Sequence, residues 1–165
     1  MSDKLTPYQV SRKRFSAEGK AINKKQFRGV TIDYIQGSSS GTVNVFDANH
    51  THTQTPTASL TIPQEVRGEI SNLGPDVKIV AIAYKDNALF PQDEGAAFQS
   101  NKWSVNSHIL SAEIRNQKLR NLAKPIKIRF LTFNSSVGIG DRRCVYWDVS
   151  KQGTYLVSIV SFWCN

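Results

Sequence analysis

Lys124-Pro125-Ile126-Lys127-Ile128-Arg129-Phe130-Leu131-Thr132-Phe133 is followed, after a polar turn over residues 134–141, by Cys144-Val145-Tyr146-Trp147-Asp148-Val149-Ser150. The first run reads as a strand. Pro125 has no backbone N–H to give to a ladder and so suits the start of such a run. The second run, with aromatic and β-branched residues together, reads as the next strand pairing back on the first.

Similar segments extend outward in both directions. Val30 to Ile35 alternates apolar and polar residues with the period of a half-buried strand. Gly37 to Gly41 interrupts it as a flexible loop, and Thr42 to Phe46 resumes it before an exposed polar loop, Asp47 to Thr57. Ser59 to Pro63 is a strand end, after which Pro63 starts one or two helical turns with Val66 and Ile70 on one face. Val77 to Tyr84 is dense in β-branched residues and bracketed by Gly74-Pro75 and Asp86-Asn87, which predicts a central strand buried on both faces. Trp103 is placed at the core edge within a long polar connection. Ser107 to Arg115 alternates again, with Leu110, Ala112 and Ile114 inward, Ser111, Glu113 and Arg115 outward, and His108 at the rim. Leu119 and Leu122 anchor a polar link, and Tyr155 to Trp163 supplies one further strand. Seven or eight short strands with one short helix predict a mainly β fold, an antiparallel β-sandwich.

The chain has 165 residues, enough for one domain with a substantial core. Its formal net charge of +8 is unevenly spread. Residues 1–29 carry eight basic and two acidic side chains, a net +6, against thirteen and eleven, a net +2, in residues 30–165. The first 29 residues, with scattered apolar positions, are therefore predicted as a basic segment, a short helix or loose tail, and residues 30–165 as the sandwich. Residues 4–28 carry an alternative reading, a basic module for nucleic acid or anionic surfaces. Nucleic acid is disfavoured because Phe15 and Phe27 lie far from any sheet motif that would make them a stacking platform.

Catalytic signatures are missing. There is no Ser-His-Asp order, carboxylate pair or phosphate-cradling loop, and Gly138-x-Gly140 lacks strand-to-helix context. His50 and His52 stand two apart with no third ligand nearby, so neither a metal nor a cofactor is expected. Cys144 and Cys164 are disulfide candidates, closing a loop of about 20 residues, or are two separate thiols. Asn49-His50-Thr51 and Asn134-Ser135-Ser136 make Asn49 and Asn134 glycosylation candidates in an exported protein. No apolar run reaches the roughly 18–20 residues of a membrane span, and residues 1–7 lack the apolar core of a secretory signal.

The motif core Cys144, Tyr146 and Trp147, placed after a Pro-led strand, resembles the opening of the GPCR proteolysis site in the GAIN domain of adhesion-type G-protein-coupled receptors. From Ser59 to Ser150 further features follow the order of that domain's second, β-sandwich subdomain. They are Leu60-x-Ile62-Pro63, Leu89-Phe90-Pro91, Val105 to Ala112 and Pro125 to Ile128. The resemblance implies an extracellular domain at the plasma membrane that links adhesion to transmembrane signalling. Its implied partners are the receptor's own transmembrane domain and adhesive N-terminal region, together with an extracellular protein ligand. It also maps Cys144 and Trp147 onto the family's first cysteine and first tryptophan. The family cuts its own chain at a His-Leu-Thr or His-Leu-Ser tripeptide, where the hydroxyl attacks the preceding carbonyl. That tripeptide is absent here, so the motif is truncated and no self-cleavage is expected. The tail from Thr154 to Asn165 departs from the family pattern, and Tyr155 to Trp163 would substitute for the family's last, interior strand.

Overall fold

A computed structural model of the chain describes residues 8–37, 40–51, 53–70, 74–90, 105–115, 117, 119, 122–136, 144–148, 153–156 and 162–164, the last three strands by backbone alone. One sheet takes β1 (Tyr8–Ser11), β2 (Phe15–Asn23), β6 (Asp76–Tyr84) and β7 (Ile109–Ile114) in that spatial order, all antiparallel. The facing sheet has the order β11 (Phe162–Cys164), β8 (Ile126–Phe130), β5 (Ala58–Pro63), β3 (Gly29–Gln36) and β4 (Gly41–Asp47). It is antiparallel except where β11 joins β8 in parallel. A separate hairpin pairs β9 (Val145–Asp148) with β10 (Gly153–Leu156). The helix is short, α1 (Val66–Glu69).

The core lies between the sheets. Ile22, Val77, Ile79, Ala81, Ala83 and Ile114 meet Val30, Ile32, Tyr34, Val43, Val45, Leu60, Ile62 and Ile126. This is the β-sandwich that the period-two alternation predicts. Val66 and Ile70 are both fully buried, so the one helical turn after Pro63 closes an end of the core with the face expected of it. Leu119 and Leu122 pack on the same cluster, and β7 buries Ile114 while exposing Ser111 and Glu113.

Two-sided burial falls on a different strand from the one expected. β6 is central, between β2 and β7, but it alternates, and Val80 on its outer face is 41% exposed. β3 carries the two-sided burial: Val30, Ile32 and Tyr34 face the core, while Thr31 and Asp33 on its opposite face are buried too. A run of β-branched residues reports strand propensity, whereas the covering of a second face depends on what the rest of the chain lays over it. Trp103 lies outside the described residues.

The basic N-terminal segment is neither helix nor loose tail over its described part. Residues 8–11 and 15–23 are strands, joined by a tight turn in which Arg12 N–H donates to Phe15 O at 2.7 Å. β2 pairs with β6 along its whole length, from Phe15↔Tyr84 to Asn23↔Asp76, and Lys24–Gln26 follow as a 3-10 turn whose first N–H reaches Pro75 O. Phe27, next in line, is 1% exposed.

β1 and β2 also close the open edge of the other sheet. Among the described residues the backbone of β4 has no strand on its far side, where polar side chains of the facing sheet bond to it. Val43 N–H donates to Ser16 Oγ and Val45 N–H to Glu18 Oε2, each at 3.0 Å. Gln9 Nε2 donates to Val43 O at 3.0 Å, Lys20 Nζ to Val45 O at 2.9 Å and Ser11 Oγ to Gly41 O at 3.2 Å. Buried edge groups left unpaired would each cost about 1–3 kcal/mol, so this polar seam accounts for polar residues on an inward face. It also blocks addition of a further strand there. Burial pushes the Glu18 carboxyl above its usual range, against the opposing pull of the Val45 N–H and the Lys20 charge.

Entry into β3 depends on Gly29, which has φ +91°. A Cβ there would lie 2.7 Å from Ile62 O and 3.0 Å from Gln64 N, both backbone atoms of the paired strand and its exit. Gly29→Ala is therefore expected to cost about 2 kcal/mol or more, combining the positive-φ penalty with displacement of β5. The urea midpoint should fall, while Gly19→Ala, where a Cβ meets no atom within 4 Å, should barely move it.

Candidate functional site

The Cys144-x-Tyr146-Trp147 motif supplies β9 of the β9–β10 hairpin, with Tyr146 opposite Tyr155 and Trp147 opposite Thr154. The expectation that Cys144 to Val149 pairs back on the strand from Ile126 is corrected: among the described residues β9 pairs with β10. The single strand expected over Tyr155 to Trp163 is likewise replaced by two short ones, β10 and β11, in different sheets. β11 reaches the edge of β8 in parallel, Phe162↔Ile126, Trp163↔Lys127 and Cys164↔Ile128. The stretch is apolar apart from Ser158 and Ser161 and has no Gly or Pro, so nothing local marks where one strand ends. Cys144, just before the hairpin, is half-buried and disulfide-bonded. The side chains of Tyr146, Trp147 and Cys164 lie outside the described set.

His108 is buried, at 4% exposure, and does not stand at the rim. Tyr34 and Phe133 both meet its ring edge-on with centroids 4.7 Å away, and its Nε2 lies 3.0 Å from Gln36 Oε1. Polarity suggests the rim, but the end of β3 and the segment after β8 converge on the ring and exclude water. Beside it, Asn106 clamps that segment. Phe133 N–H donates to Asn106 O at 2.9 Å, Asn134 N–H to Asn106 Oδ1 at 2.8 Å, and Asn106 Nδ2 to Asn134 O at 2.9 Å. The cluster thus holds the stretch of chain that leads toward the Cys144 hairpin.

Burial pushes the His108 imidazolium below its usual range, and the backbone of Lys85 and Tyr84 offsets this only in part. The folded state therefore binds fewer protons than the unfolded one. Stability is full above the ordinary value of 6.5 and is lost as pH falls through it toward the depressed folded value. His108→Gln should flatten this limb, measured as the difference in urea midpoint between pH 7 and pH 5.5. Parallel curves for wild type and variant would contradict it.

The remaining candidates are dispersed. Asn49 and Asn134 are both exposed, and Asn134 Oδ1 accepts from Ser136 N–H at 2.9 Å within its own sequon. His50 stacks on Phe46 at 3.8 Å with an interplanar angle of 5°, which occupies one ring face. His52 lies outside the described residues, and among the described residues no three His, Cys, Asp or Glu side chains gather as metal ligands. No described helix is long and apolar enough to cross a membrane. Of the basic residues of segment 4–28, Arg12, Lys13 and Arg14 stand in the β1–β2 turn and Lys24, Lys25 and Arg28 around the 3-10 turn at the other end of β2, while Lys20 lies within β2 and Lys4 outside the described residues.

Two facing sheets, a sealed edge strand and a Cys-x-Tyr-Trp hairpin define a β-sandwich module. The chain belongs to the GAIN subdomain B family, whose model, named GPS, matches residues 16–155. The match starts inside β2, in agreement with the inclusion of that strand in the sandwich. A solved structure entitled "Full extracellular region of zebrafish Gpr126/Adgrg6" superposes with a TM-score of 0.70 at 19% identity, over 92% of this chain. The overlap spans 20% of that longer chain. No curated protein sequence matches.

Proposed function

We propose that this chain is the noncatalytic β-sandwich part of the extracellular region of an adhesion-type G-protein-coupled receptor, at the outer face of the plasma membrane. In this reading it joins an adhesive N-terminal region, which meets an extracellular protein ligand, to the receptor's transmembrane domain. The family match over residues 16–155 carries the proposal, and the likeness in fold to the Gpr126 extracellular region supports it. In this reading the chain as given does not cut itself, because it contains neither His-Leu-Thr nor His-Leu-Ser. Cys144 is disulfide-bonded and the chain has one other cysteine, Cys164, which supports an intrachain pairing of the two. Such a pairing suits an oxidising, extracellular setting, as does glycosylation at Asn49 and Asn134.

Expression behind a signal peptide in mammalian cells tests this directly. The secreted chain should run as one uncut band that shifts on deglycosylation, with Asn134→Gln removing part of the shift. Full-length transcripts read onward from Gly153 should encode seven apolar spans in frame. Transcripts without them would overturn the receptor reading.

A further inference from the structure

We propose that the β1–β2 turn, Arg12-Lys13-Arg14 backed by Lys85, is a docking site for a sulfated polysaccharide. The turn is built as a rigid display of cations. Arg12 N–H closes it on Phe15 O at 2.7 Å, and Lys85 N–H donates to Arg14 O at 2.9 Å. The Lys85 ammonium reaches under it to Arg12 O at 2.6 Å and Ser11 Oγ at 3.4 Å. Arg12, Lys13 and Arg14 are all exposed. Arg12 returns one N–H to the carbonyl of Ser11, and Arg14 stands 3.4 Å from the half-exposed carboxylate of Asp86. Four cations therefore share one turn with one weakly held carboxylate. Lys85 braces the turn and Arg14 is paired with Asp86, whereas among the described residues neither Arg12 nor Lys13 has an ion pair, and like charges held this close repel.

The second cationic group is built differently. Arg28 folds back onto Lys25 O and Phe27 O, and Lys24 is half-buried. It lies at the far end of the nine-residue β2, roughly 30 Å away at about 3.3 Å per residue.

The surface around the turn narrows the partner. Phe15 and Tyr84 are register partners on the outer face, Tyr84 meets Phe90 edge-on at 4.8 Å, and Leu89 beside them is 54% exposed. Apolar and aromatic surface next to arginines suits a chain that presents sugar-ring faces between sulfates, with the guanidinium forks on the sulfate oxygens. The choice of this polyanion rests on the extracellular reading above, since the anionic lipid leaflet is the cytoplasmic one.

The test is binding of the purified chain to immobilised heparin at about 0.15 M salt and across a salt series. Arg12→Ser/Lys13→Ser/Arg14→Ser should weaken binding at least tenfold and lower the slope of log K against log salt by about 2. Lys24→Ser/Lys25→Ser/Arg28→Ser removes the same charge and should change affinity less than threefold, with both variants keeping the wild-type melting temperature. Equal loss in the two variants would reduce the effect to net charge and overturn the site. Equal binding to desulfated heparin would overturn the sulfate specificity. Tighter binding to phosphatidylserine vesicles or single-stranded DNA at the same salt would overturn the choice of partner. Transcripts lacking transmembrane spans, together with a heparin effect confined to the turn, would remove the receptor reading and leave the site.

Discussion

Phe27→Ala is expected to lower the stability of the domain by about 3–5 kcal/mol, the range for truncating a fully buried aromatic whose site does not collapse. Phe27 is 1% exposed and belongs to the same core cluster as Ile62, Val66 and Ile70. Domains of this size have roughly 5–15 kcal/mol of net stability, so the variant should sit near the edge of folding at 37 °C. The residue lies in the basic segment that reads as a tail, and a tail residue changed to alanine would cost nothing. Lys25→Ala, two positions away and exposed, is the matched control and should stay within about 0.5 kcal/mol. Urea unfolding with an unchanged slope would assign the loss to the folded state. Equal midpoints for the two variants would remove residues 15–27 from the sandwich.

Cys144→Ser is expected to cost about 3 kcal/mol, because the proposed bond to Cys164 closes a loop of about 20 residues in the unfolded chain. Cys164→Ser and the double variant should match it, and reducing the wild type should bring its melting temperature to theirs without moving the variants further. The expected structural consequence is confined to one edge. β11 holds β8 through three residues in parallel pairing, too short a ladder to persist once the covalent tie is gone. Amide exchange in Ile126 to Phe130 should therefore accelerate while β3 and β6 remain protected. Wild-type chain that reacts with a thiol reagent before reduction would overturn the pairing.

β3, β4, β5, β7 and β8, the helix after Pro63 and the inward face of β7 can all be read from the sequence, because strand and helix periodicity is local and each of these elements shows its apolar face to the core. The Cys144 motif likewise gave the family. Its surroundings were less legible, since an apolar run from Tyr155 onward without Gly or Pro does not mark β10 and β11 as two strands.

By itself the sequence determined a mainly β sandwich, its principal strands, the lack of a cleavage tripeptide and the placing of its charge in the first 29 residues. Only the tertiary structure decided that residues 8–11 and 15–23 of that segment are sheet. β2 turns Ser16, Glu18 and Lys20 inward, a pattern with no hydrophobic alternation, and their burial makes sense only once the bare backbone edge of β4 arrives to bond them. His108 follows the same physics: a polar side chain becomes interior when distant segments, here the ends of β3 and β8, bring it both a hydrogen-bond partner and aromatic cover.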